Sequence, residues 1–76
     1  MKADKEFIRE AVAEIIDCDA EQIKDDTNFV TELEVNSVQI LEIVAAIEDE
    51  YDIEVKASDL SNYDTIDKIV STLEQM

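Results

Sequence analysis

The chain has no glycine, no proline and no histidine, a single cysteine, and only six basic residues among 76. Without glycine and proline, the commonest helix stop signals are missing, so Asp, Asn and Ser must end each element. Without histidine, general acid–base chemistry near neutral pH would need a carboxylate or lysine with a strongly shifted pKa. Such a group needs a deep pocket, which a chain this short can hardly build. Cys18 cannot close an internal disulfide, has no histidine to activate it, and lies between Asp17 and Asp19. Those acids raise a thiol pKa, so Cys18 reads as a structural or neutral thiol. Six bases against 21 acids give a net charge of −15, which argues against nucleic acid and anionic lipid as partners.

No apolar run approaches the ~20 residues needed to cross a bilayer, so membrane insertion is not expected. The opening MKADKEF lacks the apolar stretch of a secretory signal, and with a lone cysteine the expected location is the cytoplasm. The acidic clusters KDDTN and EDEYDIE lack the central glycine of a calcium loop. No metal site is expected, only diffuse cation binding to an acidic surface.

What is present is enough apolar residue to fold. Hydrophobic residues make up 46 % of the chain, too many for the disordered class, and the length suits one domain spanning 1–76. Phe7, Ile8, Ala11, Val12, Ile15 and Ile16 recur at three-to-four spacing and predict a helix from Ala3 to Ile16. Asp19 with Gln22 is a candidate cap for a brief turn before Ile23. From Glu21 to Val35 the anchors Ile23, Phe29, Val30, Leu33 and Val35 show no sustained period, which reads as an ordered connection pinned to the core. Asn36 with Gln39 forms a capping-box pattern that starts a second helix with Ser37 at its first position. Val38, Leu41, Val44, Ala45, Ile47 and Tyr51 form its stripe; Ile40 and Ile43 widen it beyond half the circumference, leaving apolar surface for a partner. A short extended piece from Ile53 to Val55 follows, then a single turn around Ser58 to Ser61. Asp64 is the expected cap of a last helix bearing Ile66, Ile69, Val70 and Leu73. No strand alternation or internal repeat is found, so the fold class is all-α, three main helices plus one short one.

Acid is unevenly placed. No base stands between Lys24 and Lys56, whereas Glu42, Glu48 and Asp49 with other acids fall in that span. Acids on a helix are either a solvated face or a docking surface for a basic partner.

The run from Phe29 through Leu33 and Val35-Asn36-Ser37-Val38, the helix LEIVAAIEDEY, Asp52-Ile53, a short turn and a capped last helix together resemble the acyl carrier proteins over nearly the whole chain. The resemblance implies a four-helix carrier bundle that is monomeric and not itself an enzyme. It implies 4′-phosphopantetheine as cofactor, with Ser37 the attachment residue, since the family bears the group on the serine of an Asp-Ser-Leu triplet. From the residues alone, Ser37 could equally be a local hydrogen-bonding residue at a helix start.

The implied partners are a phosphopantetheinyl transferase and acyl-transferring or ligase enzymes with basic docking surfaces, met by Asn36, Val38, Gln39, Glu42, Glu48 and Asp49. An acyl cleft is implied at Phe29, Ile40, Val44, Ile47, Leu60, Tyr63 and Ile69; as an apolar pattern alone these are ordinary core residues. Ile40, Leu60 and Ile69 are bulkier than is usual in relatives and would partly fill such a cleft, which suits a short, polar or unsheltered cargo. The chain departs from the family with Asn36 for Asp, Val38 for Leu, Glu34 for Gly, and Gln39 where a further acid is common. Loss of the Asp charge, which in relatives helps hold the metal ion and the basic transferase, implies slow modification or a dedicated transferase. The tail YDTIDKIVSTLEQ also resembles the D-alanyl carrier proteins. The alternatives are thus a carrier of fatty-acid, lipid or polyketide-type biosynthesis, a D-alanyl or aminoacyl carrier loaded by an adenylating ligase, and an unmodified acidic helical interaction module.

Overall fold

A computed structural model describes residues 2–76. Three α-helices, α1 (Lys5–Ile16), α2 (Ser37–Tyr51) and α3 (Ile66–Glu74), are joined through 3₁₀ segments at Ala20–Gln22 and Ala57–Tyr63. No strand occurs among the described residues, in keeping with the all-α expectation.

Each helix is started by a side chain that takes up amides left over by helix geometry. Asp4 caps α1: its carboxylate accepts from the amides of Glu6 at 3.0 Å and Phe7 at 3.3 Å. The helix therefore begins at Lys5, two residues later than the apolar period suggests. Both long helices end on an aspartate in the left-handed region. Asp17 has φ 57° and donates its N–H to the Ala13 carbonyl, and Asp52 has φ 53° and donates to Glu48. Short polar side chains visit this region more readily than other residues do, and here they do the work usually left to glycine.

The core joins the inner faces of all three helices. Ile8, Val12, Ile43, Ile47, Ile66, Ile69 and Leu73 have no exposed surface, each contributing about 1.5–3 kcal/mol by burial. Tyr51 ties α2 to the start of α1. Its hydroxyl accepts the Asp4 amide at 2.9 Å, and its ring stands edge-on to Phe7 at 6.2 Å.

The long connection from α1 to α2 is pinned by buried Ile23, Phe29 and Val35. It is also tied by its backbone to the start of α3: the Phe29 amide donates to the Asp64 carbonyl at 2.8 Å, and the Asp67 amide to the Asp25 carbonyl at 2.9 Å. From α1, the Arg9 guanidinium donates to the Ile23 carbonyl and the Asp25 carboxylate. Lys5 reaches Asp25 at 3.1 Å. The Arg9 hydrogen bond, with that of Lys5, holds the Asp25 carboxyl below the ordinary range.

Several local expectations are corrected. Asp19 makes no side-chain cap, and the turn at Ala20–Gln22 is held by backbone bonds alone. The turn expected around Ser58 to Ser61 extends over Ala57–Tyr63. Thr65, not Asp64, caps α3, its hydroxyl accepting the Lys68 amide at 3.0 Å. Asp64 is engaged elsewhere: its carboxylate accepts from the side-chain amide of distant Asn28 at 3.2 Å and pairs with Lys68, one turn along, at 3.2 Å. In α2, Val38, Leu41 and Ala45 lie outside the core, and the buried stripe is Ile43, Val44 and Ile47.

Candidate functional site at the start of the second helix

At the start of α2 the capping work falls to Asn36 and Gln39. Asn36 Oδ1 accepts the Gln39 amide at 2.8 Å, and Gln39 Oε1 accepts the Asn36 amide at 3.1 Å. Ser37 is thereby released. Its side chain is exposed, and among the described residues its hydroxyl makes no hydrogen bond. The amides of Ser37 and Val38 have no carbonyl one turn earlier within the helix, and the first turn of α2 contains no acid. Free amides, the positive end of the helix dipole and a first turn without an acid suit a phosphate ester on this hydroxyl, by about 0.3–1 kcal/mol.

Ser37 opens onto a groove of about 420 Å³, lined by Val30, Val35, Ser37, Ile40, Leu41, Leu60, Ser61 and Asp64. One wall is the loop before α2, which Asn28 shapes: its Oδ1 accepts the amides of Val30 and Thr31, and its own amide donates to Glu32 Oε2 at 2.8 Å. The Val35 amide closes the loop on the Phe29 carbonyl at 2.9 Å. Glu34 turns the chain into α2 with φ 55°, at the position where the resembled family has glycine. The opposite wall is the Ala57–Tyr63 segment, which contributes Leu60 and Ser61.

The residues expected to form an acyl cleft divide into two sets. Ile40 and Leu60 line the groove, whereas Phe29, Val44, Ile47, Tyr63 and Ile69 are packed inside the core. The Tyr63 hydroxyl is buried without a hydrogen-bond partner. Burial, with Asp59 and Glu48 nearby, pushes its pKa up. Val30, Val35, Leu41, Ser61 and Asp64 were not singled out for the site from the sequence, although Leu41 is four residues from Ser37 and so shares its helix face.

Among the residues expected to meet partners, Asn36, Val38, Glu42 and Asp49 are exposed and Gln39 is half-buried. Val38 and Leu41 keep 63 % and 54 % of their surface in solvent, forming apolar surface between acids. Glu48 is different: it is half-buried and its carboxylate accepts the Val55 amide at 2.8 Å, so it holds the chain leaving α2. Cys18 is far along the chain from the groove, and burial, then Asp19 and Asp17, pushes its thiol up, away from nucleophilic use. No group of three or more metal-binding side chains is found among the described residues.

The family model described as "Phosphopantetheine attachment site" matches residues 6–73. The chain is 37 % identical over 59 residues to polyketide-8 synthase acyl carrier protein 2 of Streptomyces avermitilis, covering 78 % of this chain and 68 % of that one. It is 28 % identical over 68 residues to the acyl carrier protein of Bdellovibrio bacteriovorus, covering 90 % and 87 %. The solved acyl carrier protein of Enterococcus faecalis superposes with a TM-score of 0.71 at 28 % identity, over 99 % of this chain and 98 % of that one. A helical bundle of this shape, with a model match across nearly its whole length, belongs to the acyl carrier proteins, whose prosthetic group is 4′-phosphopantetheine.

Proposed function

We propose that Ser37 is the attachment residue and that the chain ferries acyl groups between the enzymes of a fatty-acid, lipid or polyketide-type pathway. The observation that carries this is the division of labour between neighbours: Asn36 and Gln39 cap α2 with each other, leaving the Ser37 hydroxyl exposed and unengaged at the helix start. Attachment joins Ser37 Oγ to the phosphate of the arm given up by coenzyme A, with loss of the hydroxyl proton and departure of adenosine 3′,5′-bisphosphate. The arm supplies a terminal thiol able to hold an acyl group as a thioester. In this role residues 1–76 act as one carrier domain, monomeric and cytoplasmic, and the chain itself catalyses no reaction. Its partners are a phosphopantetheinyl transferase and acyl-handling enzymes with basic docking surfaces. Exposed Glu42 and Asp49 steer such surfaces toward α2, and Val38 and Leu41 give them apolar contact. The likeness to a polyketide synthase carrier supports a polyketide-type pathway as one setting.

Intact-mass spectrometry after incubation with coenzyme A and a broad-specificity transferase tests the reading. The wild type should gain one phosphopantetheine mass and Ser37→Ala none. A wild type that stays unmodified would leave the carrier fold serving as an unmodified acidic binding module.

A further inference from the structure

On α1, Phe7, Ala11 and Ile15 follow one another at four-residue spacing and so form one row along the helix, about 12 Å long. The core does not fully absorb this row: all three side chains are half-buried, as is Ala46 on α2. With Glu10 and Glu14 they line a second groove, of about 380 Å³, between α1 and α2. Its depth comes from the two alanines, which leave room that larger residues would fill, while Phe7 and Ile15 stand at either end of the α1 wall. The Phe7 end is fixed by the edge-on ring of Tyr51. No residue of this groove lines the one beside Ser37. From Ser37 to Ala46 the helix makes about two and a half turns, so the two grooves open on opposite flanks of α2.

The rim is acidic and unpaired. Glu10 and Glu14 are exposed, as is Glu50, one turn beyond Ala46. Among the described residues none of the three forms an ion pair. The bases of α1 are committed elsewhere, Arg9 to Ile23 and Asp25, and Lys5 to Asp25 and Asp67. An apolar floor between unneutralised carboxylates narrows the choice of occupant. A second copy in a two-fold pair would bring the same acids against one another, and anionic lipid or nucleic acid meets the same repulsion.

We propose that this groove is a second docking site, occupied by a cationic amphipathic helix of a partner protein. Successive turns of that helix set apolar side chains over Ala11 and Ala46, between Phe7 and Ile15. Lys or Arg on its flanks meet Glu10, Glu14 and Glu50. Because the site turns away from Ser37, a protein held here leaves the start of α2 open to another, and the site stands whether or not Ser37 carries an arm.

The test titrates the isotope-labelled full chain with a peptide of Leu and Lys about four helical turns long, patterned with one apolar and one basic face, and follows amide shifts by NMR. The shifts should saturate and centre on Phe7, Ala11, Ile15 and Ala46. The same peptide with Glu for Lys, or with Ala for Leu, should give no saturable change. Glu10→Lys with Glu14→Lys, at exposed positions, should weaken binding by roughly three- to tenfold at low salt, the effect of losing two exposed ion pairs. Asp26→Lys with Glu54→Lys makes the same change in net charge elsewhere on the surface and should leave the affinity within about twofold. Shifts centred on Val38 and Leu41 beside Ser37, equal weakening by the two charge-reversed pairs, or equal binding of the Ala peptide overturn the site. Shifts at Phe7, Ala11, Ile15 and Ala46 on diluting the protein without peptide overturn it in favour of a second copy.

Discussion

Glycine-free chain reversal makes a quantitative prediction. Asp17, Glu34 and Asp52 hold φ of 57°, 55° and 53°, a region costing a residue with a Cβ about 1–2 kcal/mol. Glycine removes that penalty and returns about 0.4–1 kcal/mol of it through the larger entropy of its unfolded state. Glu34→Gly should therefore stabilise by about 0.5–1 kcal/mol, since no hydrogen bond or ion pair of the Glu34 side chain is lost. At Asp17 and Asp52 the backbone gain is smaller, because aspartate tolerates the region better. Removing a carboxylate from the negative end of a helix dipole adds about 0.3–1 kcal/mol. The three sites sit at different turns of the fold, so their effects should add. A triple variant should gain about 2–3 kcal/mol, a rise in Tm of roughly 10–20 °C for a domain of this size.

Asp17→Asn, Asp52→Asn and Glu34→Gln separate the contributions. They remove the charge and keep the Cβ, so the gains at Asp17 and Asp52 should vanish in high salt, where exposed charges are screened; Glu34→Gln, before the positive end of α2, should gain nothing from the dipole, and only the backbone part of the glycine variants' gains should persist. The assay is thermal and urea unfolding followed by circular dichroism at low and high salt. Glycine variants no more stable than wild type at high salt would falsify the claim that these three turns store backbone strain.

Other outcomes follow from the same structure. Asn36→Ala should cost about 1 kcal/mol by removing the cap of α2, whereas Asn36→Asp should keep the cap and speed pantetheinylation, read as the rate of mass gain with a standard transferase. Asp25 has its carboxyl lowered from 3.8, first by the hydrogen bond from Arg9 and then by that from Lys5. Its contribution is therefore present above that value and lost as pH falls through the lower folded one. Asp25→Asn should melt earlier than wild type at neutral pH and show a shallower loss of stability below about pH 4, measured by unfolding across an acid series. With a net charge of −15, added salt or magnesium should raise Tm appreciably, and a melting curve indifferent to both would show that self-repulsion is minor.

The parts of this molecule legible from sequence are those decided by short-range chemistry. The Asn36–Gln39 box, the start of α2 at Ser37 and the all-α pattern depend on spacing within one or two helical turns. What escaped was decided by distant partners. Asp64 and Thr65 are both good caps, and the bond from distant Asn28 to Asp64 leaves Thr65 at the helix start. The apolar surface of α2 is wide enough that period alone cannot say which flank meets α1 and the Ala57–Tyr63 segment, so Leu41 was assigned inward when it faces solvent beside Ser37. Glu48 looks like any surface acid until the chain folds back and presents the Val55 amide to it. The groove itself has no local signature, because its walls come from segments separated in sequence.

The placement of the few bases has a consequence for motion. Lys5 pairs with Asp25 and Asp67, Arg9 with Asp25 and Glu6, and Lys68 with Asp64, so three of the six bases are committed around α1 and the start of α3. The span that contains α2 has none to offset its acids. Centres of positive and negative charge are thus separated within one small rigid body, giving it a permanent electric dipole. In the field of a cationic surface such a body feels a torque as well as a pull. It turns while it approaches, so that rotational search, usually the slower part of forming a specific encounter, is shortened before the surfaces touch.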